Sequence, residues 1–430
     1  MHSDANGGGT KLTAGQRVDE LVNEAVFAAS EKARDNARRS IWKTALDQGA
    51  VPASIQSLYE AAGQGLYEGV TVPAINIRGV TYDVARAVFR AAQRDSVGAF
   101  VFEIARSEIG YTAQRPAEYT ACLLAAAVRE GFRGPVFIQG DHFQANRAGY
   151  YADTDKEVGA LKELIAEAVE ADFLNIDIDA STLVDLDKPT LEEQQENNSR
   201  VTAELTEFIR GIEPAGATIS VGGEIGEIGK GNSTPEDLRA FMSGYRRLLP
   251  PGVTGISKVS VQTGTTHGGV VLPDGSIASV SVDFETLEQL SRLAREEWGM
   301  GGAVQHGAST LPDDAFGVFP RTGVLEVHLA TGFQNIILDG PFFPRELTDE
   351  IHRGLNEKYH EERTPGQTDQ QFIYKTRKKA FGNFKRQMWA LPEDNRAAMR
   401  QALEERFSLL FRELKVVGTT ELVGRYVSGG

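Results

Sequence analysis

The chain is nearly without cysteine: one thiol, Cys122, stands in 430 residues. A single cysteine excludes an intramolecular disulfide and any thiolate-based zinc cluster. Its setting, ACLLAAAV, marks it as a buried structural thiol rather than a nucleophile. A basic surplus is also missing, since 45 Lys and Arg face 60 Asp and Glu, for a formal net charge of −15. Phosphate-backbone and anionic-membrane binding both need excess positive charge, so nucleic acid and membrane are not expected partners. A small phosphorylated ligand needs only a local cluster of amides or cations and stays open. No apolar run approaches the roughly 20 residues that span a bilayer. The first fifteen residues, MHSDANGGGTKLTAG, carry neither an apolar signal core nor an Arg-rich amphipathic pattern. They read as a disordered tail (1–15) on a cytoplasmic protein.

What is present is ordinary globular composition, 41% hydrophobic and 24% charged, at a length compatible with one large α/β domain plus additions. Residues 16–70 form an N-terminal helical extension in which Arg17 to Gln48, rich in helix formers and free of Pro and Gly, reads as one helix. Pro52, Gly63, Gly65 and Gly69 then break the pattern. From Thr71 onward short apolar runs alternate with helical patterns eight times. The strands are TVPAINI, GAFVFEI, PVFIQGD, DFLNIDID, ATISVGGE, SKVSVQTG, GAVQHG and GVLEVHLA. Strand–helix alternation with near-continuous apolar strands means a parallel sheet covered by helices. Eight units over residues 71–344 have the size and count of a closed (β/α)8 TIM barrel of the α/β class. An open doubly wound sheet is the alternative, but VPAINIRGV lacks the glycine fingerprint that fold carries after its first strand. Residues 345–430 form a C-terminal helical extension for packing or oligomerisation, interrupted near Pro365 and ending in the amphipathic EDNRAAMRQALEERFSLLFREL.

Barrel enzymes place their chemistry at the C-terminal ends of the strands. Three of only seven histidines fall there: His142 in GDH, His267 in TTHGG and His306 in QHGAS. Three neutral imidazoles around one mouth, with an open fourth position, make a catalytic zinc site. His2, His352 and His360 lie in tail or surface contexts. Acidic residues at the same ends, Asp141, Asp177, Asp179, Glu224 and Glu227, are candidates for further ligands, ligand-orienting groups or bases. Asp177 and Asp179 share one strand face, so one is expected to serve structure and the other the site. The glycines after His267 and His306 (Gly268 and Gly307), with Ser309 and the helix start at Thr331, suggest a phosphate cradle. Lys258 lies at a strand start, away from that mouth, so no Schiff-base lysine is expected.

These clusters, in this order, resemble the class II fructose-bisphosphate aldolases and more loosely the tagatose-bisphosphate aldolases. The likeness starts near Ser54-Ile55-Gln56-Ser57-Leu58-Tyr59 and runs through VPAINI, GDHF, DIDAS, GGEIG, GTTHGG and QHGAST to GVLEVHLATGFQN. The resemblance implies that His142, His267 and His306 bind one Zn2+ per chain, with room for a second divalent or a monovalent cation. It implies that Asp141 handles the hydroxyl proton as the carbon–carbon bond forms or breaks, and that Asp179 and Glu224 stand near the metal. Gly268, Gly307 and Ser309 match phosphate-contacting positions, and Asn76 matches an asparagine beside the substrate. The implied activity is reversible cleavage of a phosphorylated ketose to dihydroxyacetone phosphate and an aldehyde, by a homo-oligomer (dimer or tetramer).

Three departures separate this chain from the family pattern. The glycine-rich loop after the fifth strand, which bears a proton-moving Glu in relatives, is shortened to EIGEIGKGNSTPED, leaving Glu227 as the nearest substitute. The Asn-x-Asp of the eighth strand is His328-Leu329-Ala330, which makes His328 a substrate-binding candidate and the next candidate base. A lysine expected after His267-Gly268-Gly269 is replaced by Val270-Val271. Two alternatives follow: a non-catalytic aldolase-like subunit that stabilises a partner, and a zinc-dependent barrel isomerase or epimerase that leaves the carbon skeleton intact.

Overall fold

A computed structural model describes residues 14–226, 231–264 and 281–427. Its sheet holds nine parallel strands, and eight of them close into the expected barrel. In chain order the strands are β1 (Ala50–Ala53), β2 (Val72–Asn76), β3 (Val101–Ala105), β4 (Gly134–Gln144) and β5 (Asn175–Asp179). They continue as β6 (Ser220–Glu224), β7 (Lys258–Val261), β8 (Ala303–Gln305) and β9 (Glu326–Leu329). Closure comes from β2 pairing with both β3 and β9, while β4 pairs β5. All eight expected strands are thus present; six lie within the runs read from sequence, while β3 runs one residue further, to Ala105, and β4 spans Gly134–Gln144.

The ninth strand was not legible. Ala50–Ala53 pairs with the start of β4, Ala50 opposite Gly134 and Ala53 opposite Phe137. It tolerates Pro52 because an edge strand has no second neighbour demanding that N–H. The single helix expected over Arg17–Gln48 is also corrected: two helices, Ala14–Phe27 and Glu31–Gln48, meet at a break. Ser30 causes it, its side chain accepting a hydrogen bond from the Ala33 N–H at 3.2 Å as an N-cap. Arg34 and Arg38 then donate to the carbonyls of Ala28 and Ala25, satisfying the end of the first helix. Strong helix formers on both sides hide such a break from a propensity reading.

The C-terminal extension packs on the barrel. Helix Glu393–Glu413 lies against helix Thr81–Arg94, which follows β2. There Arg400, 3% exposed, donates to Asp83, 2% exposed, and Arg396 reaches the same carboxylate at 3.3 Å. A buried carboxylate persists only where such partners offset its desolvation. Cys122 is fully buried, as its apolar run implied, and burial pushes its thiol well above its ordinary pKa. No helix among the described residues is long and apolar enough to cross a membrane.

Candidate active site

Strand β4 solves a geometrical problem. Successive strand residues point to opposite faces, so Asp141 and His142 should not both reach one cavity. The β4–β5 register is Gly140 opposite Ile176, then Phe143 opposite Ile178. Asp141 and His142 together therefore face the single residue Asp177, a β-bulge. His142 takes a left-handed φ of 39°, uncommon for a residue with a side chain. Strain of that kind concentrates where a side chain must be re-aimed. Gly140 beneath is required as glycine, because a Cβ there would collide with the Phe143 ring that fills the bulge from below. The third barrel strand, expected to end at Asp141-His142, instead bulges there and continues to Gln144.

The result is a mouth cavity of about 600 Å³ lined by Asn76, Asp141, His142, His306, Gly307, Ser309, His328 and Thr331, among others. His142 Nε2 stands 3.1 Å from His306 Nδ1, the two rings 4.2 Å apart. Asp141 Oδ1 lies 3.9 Å from the same Nε2. On the other edge of the His142 ring, Nδ1 is 3.1 Å from Asp179 Oδ2 and 3.2 Å from Glu224 Oε2. His306 Nε2 is held by Ser260 Oγ at 3.0 Å. Two donor sets therefore share His142: Asp141, His142 and His306 at one edge, and His142, Asp179 and Glu224 at the other. His267, Gly268 and Glu227 lie outside the described residues, as does nearly all of the N-terminal tail.

Electrostatics bear on whether a cation fits. Burial would depress the His142 imidazolium, but Asp141, Glu224 and Asp179 outweigh it and raise its pKa well above the ordinary value. Glu224 is pushed up to about 7 by burial and by neighbouring Asp179, against the pull of His142. Asp179 goes the other way: burial raises it, but hydrogen bonds and charge from His142, with Ser181 and Gln144, hold it low. Acids in excess of cations, packed around imidazoles with converging nitrogens, are a donor set that fits a divalent ion.

Among the remaining expected residues, Asn76 Nδ2 donates to Glu108 at 2.6 Å, while its buried Oδ1 has no hydrogen-bond partner among the described residues. Gly307 adopts a φ of 71°, which glycine alone takes freely. Ser309 Oγ accepts from the Ala330 N–H at 2.7 Å, just before helix Thr331–Asp339, whose start has no side-chain cap. Asp177 is buried and lies 2.9 Å from Lys258 Nζ, whereas Asp179 meets the His142 ring. His328 lines the cavity floor, its ring 4.0 Å from that of His306. Its Nδ1 is 2.8 Å from Glu103 and 3.2 Å from Asp141. His352 and His360 are exposed, away from this cavity.

Five charged residues of the cavity wall, Arg78, Glu103, Arg106, Glu108 and Lys378, are not singled out by the sequence. Glu103, an acid inside an apolar strand, is pushed up to about 8 by burial and Asp141, against His328. Arg78, two residues beyond Asn76, is paired with Glu108 at 2.7 Å. Arg106 follows β3 directly, and an ionisable residue at a strand end was a usable signal for both arginines. Lys378 arrives from the C-terminal extension, with no local signal at all. Burial, then the Arg78 guanidinium, holds its ammonium below the usual lysine value.

The sequence matches the family model described as fructose-bisphosphate aldolase class II over residues 54–412. The chain belongs to that family. The fold is also similar to the YdjI aldolase of Escherichia coli K12, with a TM-score of 0.51 at 15% identity, covering 86% of this chain and 100% of that one. A probable tagatose 6 phosphate kinase from Sinorhizobium meliloti 1021 gives a TM-score of 0.54 at 16% identity, over 83% and 93% of the two chains. Fructose-bisphosphate aldolase from Campylobacter jejuni gives 0.52 at 16%, over 86% and 96%. At such identities these likenesses speak for the barrel only. None of the curated proteins matches the sequence. The family is one whose members generally depend on a metal and act on phosphorylated sugars, consistent with the donor sets at the mouth.

Proposed function

We propose that this chain is a zinc-dependent aldolase that cleaves a phosphorylated ketose to dihydroxyacetone phosphate and an aldehyde. The observation that carries it is the bulge at Asp141-His142, which brings a carboxylate and two imidazoles of separate strands to one mouth. His142 through Nε2, His306 through Nδ1 and His267 would hold the ion. Asp179 and Glu224 contact the opposite edge of His142, fixing which nitrogen faces the metal, a role that outer partners of ligating histidines commonly play. A divalent ion bound there supplies Lewis acidity at the ketone and adjacent hydroxyl oxygens.

The chain's own groups move the protons. Asp141 accepts the proton of the hydroxyl on the carbon that becomes the aldehyde. The carbon–carbon bond breaks, its electron pair passes to the ketone fragment as an enediolate, and an acid returns a proton to that carbon. Glu227 is the candidate for this last transfer. In Glu227→Gln, exchange of the α-proton of bound dihydroxyacetone phosphate should slow by about 10²-fold or more. Exchange at the wild-type rate would place the base elsewhere, with His328 next. Lys258 is no Schiff-base nucleophile in this scheme: burial lowers its pKa, but Asp177 and Glu326 more than restore it, so the ammonium persists.

Gly307, Ser309 and the uncapped helix start at Thr331, with Gly268, supply donors for one phosphate. Lys378 and Arg78 line the same cavity and offer positive charge for a second phosphate of the substrate. A charge-assisted hydrogen bond contributes ~1.5–3 kcal/mol, or roughly 10–100-fold in binding. Lys378→Met should therefore raise KM for a bisphosphorylated ketose by about that factor with kcat little changed. An equal KM for mono- and bisphosphorylated ketoses in both proteins would remove Lys378 from the phosphate site. The activity itself is tested by screening phosphorylated ketoses for dihydroxyacetone phosphate release, with and without chelator. A chain that binds zinc but cleaves none of them would favour an isomerase or a non-catalytic subunit.

A further inference from the structure

The interior of this barrel is ionic where branched aliphatic side chains ordinarily fill it. Lys258, 1% exposed, projects from the start of β7 and its ammonium meets Glu326 Oε1 at 2.5 Å, Gln139 Oε1 at 2.7 Å and Asp177 Oδ2 at 2.9 Å. Gln139 and Glu326 accept hydrogen bonds from the ammonium, and the Asp177 carboxylate pairs with it as an ion. Room for this comes from Gly222, which lies between Asp177 and Lys258 in the sheet register; a Cβ there would strike the Asp177 carboxylate and the Lys258 side chain.

Glu326, fully buried on β9, accepts four hydrogen bonds. Its Oε1 receives Lys258, His328 Nε2 at 2.6 Å and Gln139 Nε2 at 3.2 Å, and its Oε2 receives the Tyr59 hydroxyl. Four hydrogen bonds onto one buried carboxylate hold it and its donors in place. Through the bond to Nε2 it holds the His328 ring, whose Nδ1 lies 2.8 Å from Glu103 Oε2 and 3.2 Å from Asp141 Oδ1. The hydrogen bond made by one ring nitrogen settles what the other can do.

We propose that Lys258 and Glu326 are positioning residues that act through His328 to hold the Asp141 carboxylate, the group read above as the hydroxyl-proton acceptor. The chain of contacts runs Lys258 to Glu326 to His328 to Asp141, from the barrel interior to the mouth. Neither Lys258 nor Glu326 lines the cavity, so neither touches substrate.

The test uses the zinc-loaded full chain. Glu326→Gln should lower kcat roughly 10–100-fold, as loss of an outer partner does, with KM and zinc stoichiometry retained. Because a single change can unfold the protein by stranding a buried charge, the triple variant Asp177→Asn/Lys258→Met/Glu326→Gln removes the three charges together and should show the same kcat loss. In a His328→Gln background, adding Glu326→Gln should cost nothing further, since residues acting in series are non-additive. Multiplicative losses, an unchanged kcat in the triple variant, or a KM effect in place of a kcat effect would each overturn the proposal.

A second readout is independent of cleavage. In protein carrying 15N-labelled histidine, the His328 ring signals, assigned by their loss in His328→Gln, should shift in both Glu326→Gln and Asp141→Asn. Signals blind to either change would break the chain of contacts. If they respond while no ketose phosphate is cleaved, the aldolase reading fails and the positioning arrangement stands.

Discussion

His142→Ala and His306→Ala should each strip zinc from the protein and abolish cleavage. Both rings line a solvent-connected cavity rather than the apolar core, so the variants should fold, with a circular dichroism spectrum like that of the wild type. The two rings converge with Nε2 and Nδ1 3.1 Å apart, and each is held from behind, by Asp179 and Ser260 respectively. Lewis-acid stabilisation is worth several kcal/mol, so losing the ion should cost roughly a thousand-fold or more in kcat. Asp179→Asn and Ser260→Ala give the contrast. They remove the groups that orient the ligands and leave the ligands, for which a roughly 10–100-fold loss of metal affinity or activity is expected. Elemental analysis of the four variants decides. Zinc near one per chain in both alanine variants, or full cleavage after chelation, would refute the assignment.

The barrel was legible because each strand is an apolar run bounded by glycine or polar residues, and the alternation with helices repeats eight times. The mouth was legible because His142, His306, Asp141 and Ser309 all follow such runs. What stayed hidden has particular causes. Lys258 stands at a strand start, but the start of a barrel strand faces the closed interior, and Gly222 on the neighbouring strand leaves the space its side chain occupies. Glu326 and His328, at spacing two, had to share a face, and with Asp177 and Glu103 on other strands they signalled a polar interior that strand-by-strand reading did not assemble. The bulge at Asp141-His142 carries no propensity signal, since it depends on how β4 pairs with β5. Lys378 reaches the mouth through tertiary packing of a helical extension whose own sequence points only to helix. Ser30 shows the converse, a good N-cap residue masked by strong helix formers on both sides.

Asp141→Asn should separate two proton transfers that cleavage normally couples. The substitution keeps the size of the side chain and its contact with His328, so the fold and the cavity should survive. It removes the basicity needed to take the hydroxyl proton, and general acid–base groups contribute ~10²–10⁴-fold. Cleavage should therefore fall by about that factor. Exchange of the α-proton of dihydroxyacetone phosphate should continue near the wild-type rate, because that proton is handled by another group and involves no aldehyde hydroxyl. Zinc content is the necessary companion measurement. Asp141 Oδ1 stands 3.9 Å from His142 Nε2, near enough for the carboxylate to share in a donor set with the two histidines. If Asp141→Asn loses the ion, exchange and cleavage should fall together and the residue is a ligand. If zinc stays and only cleavage falls, the carboxylate is the proton acceptor, aimed into the cavity by the same bulge that presents His142.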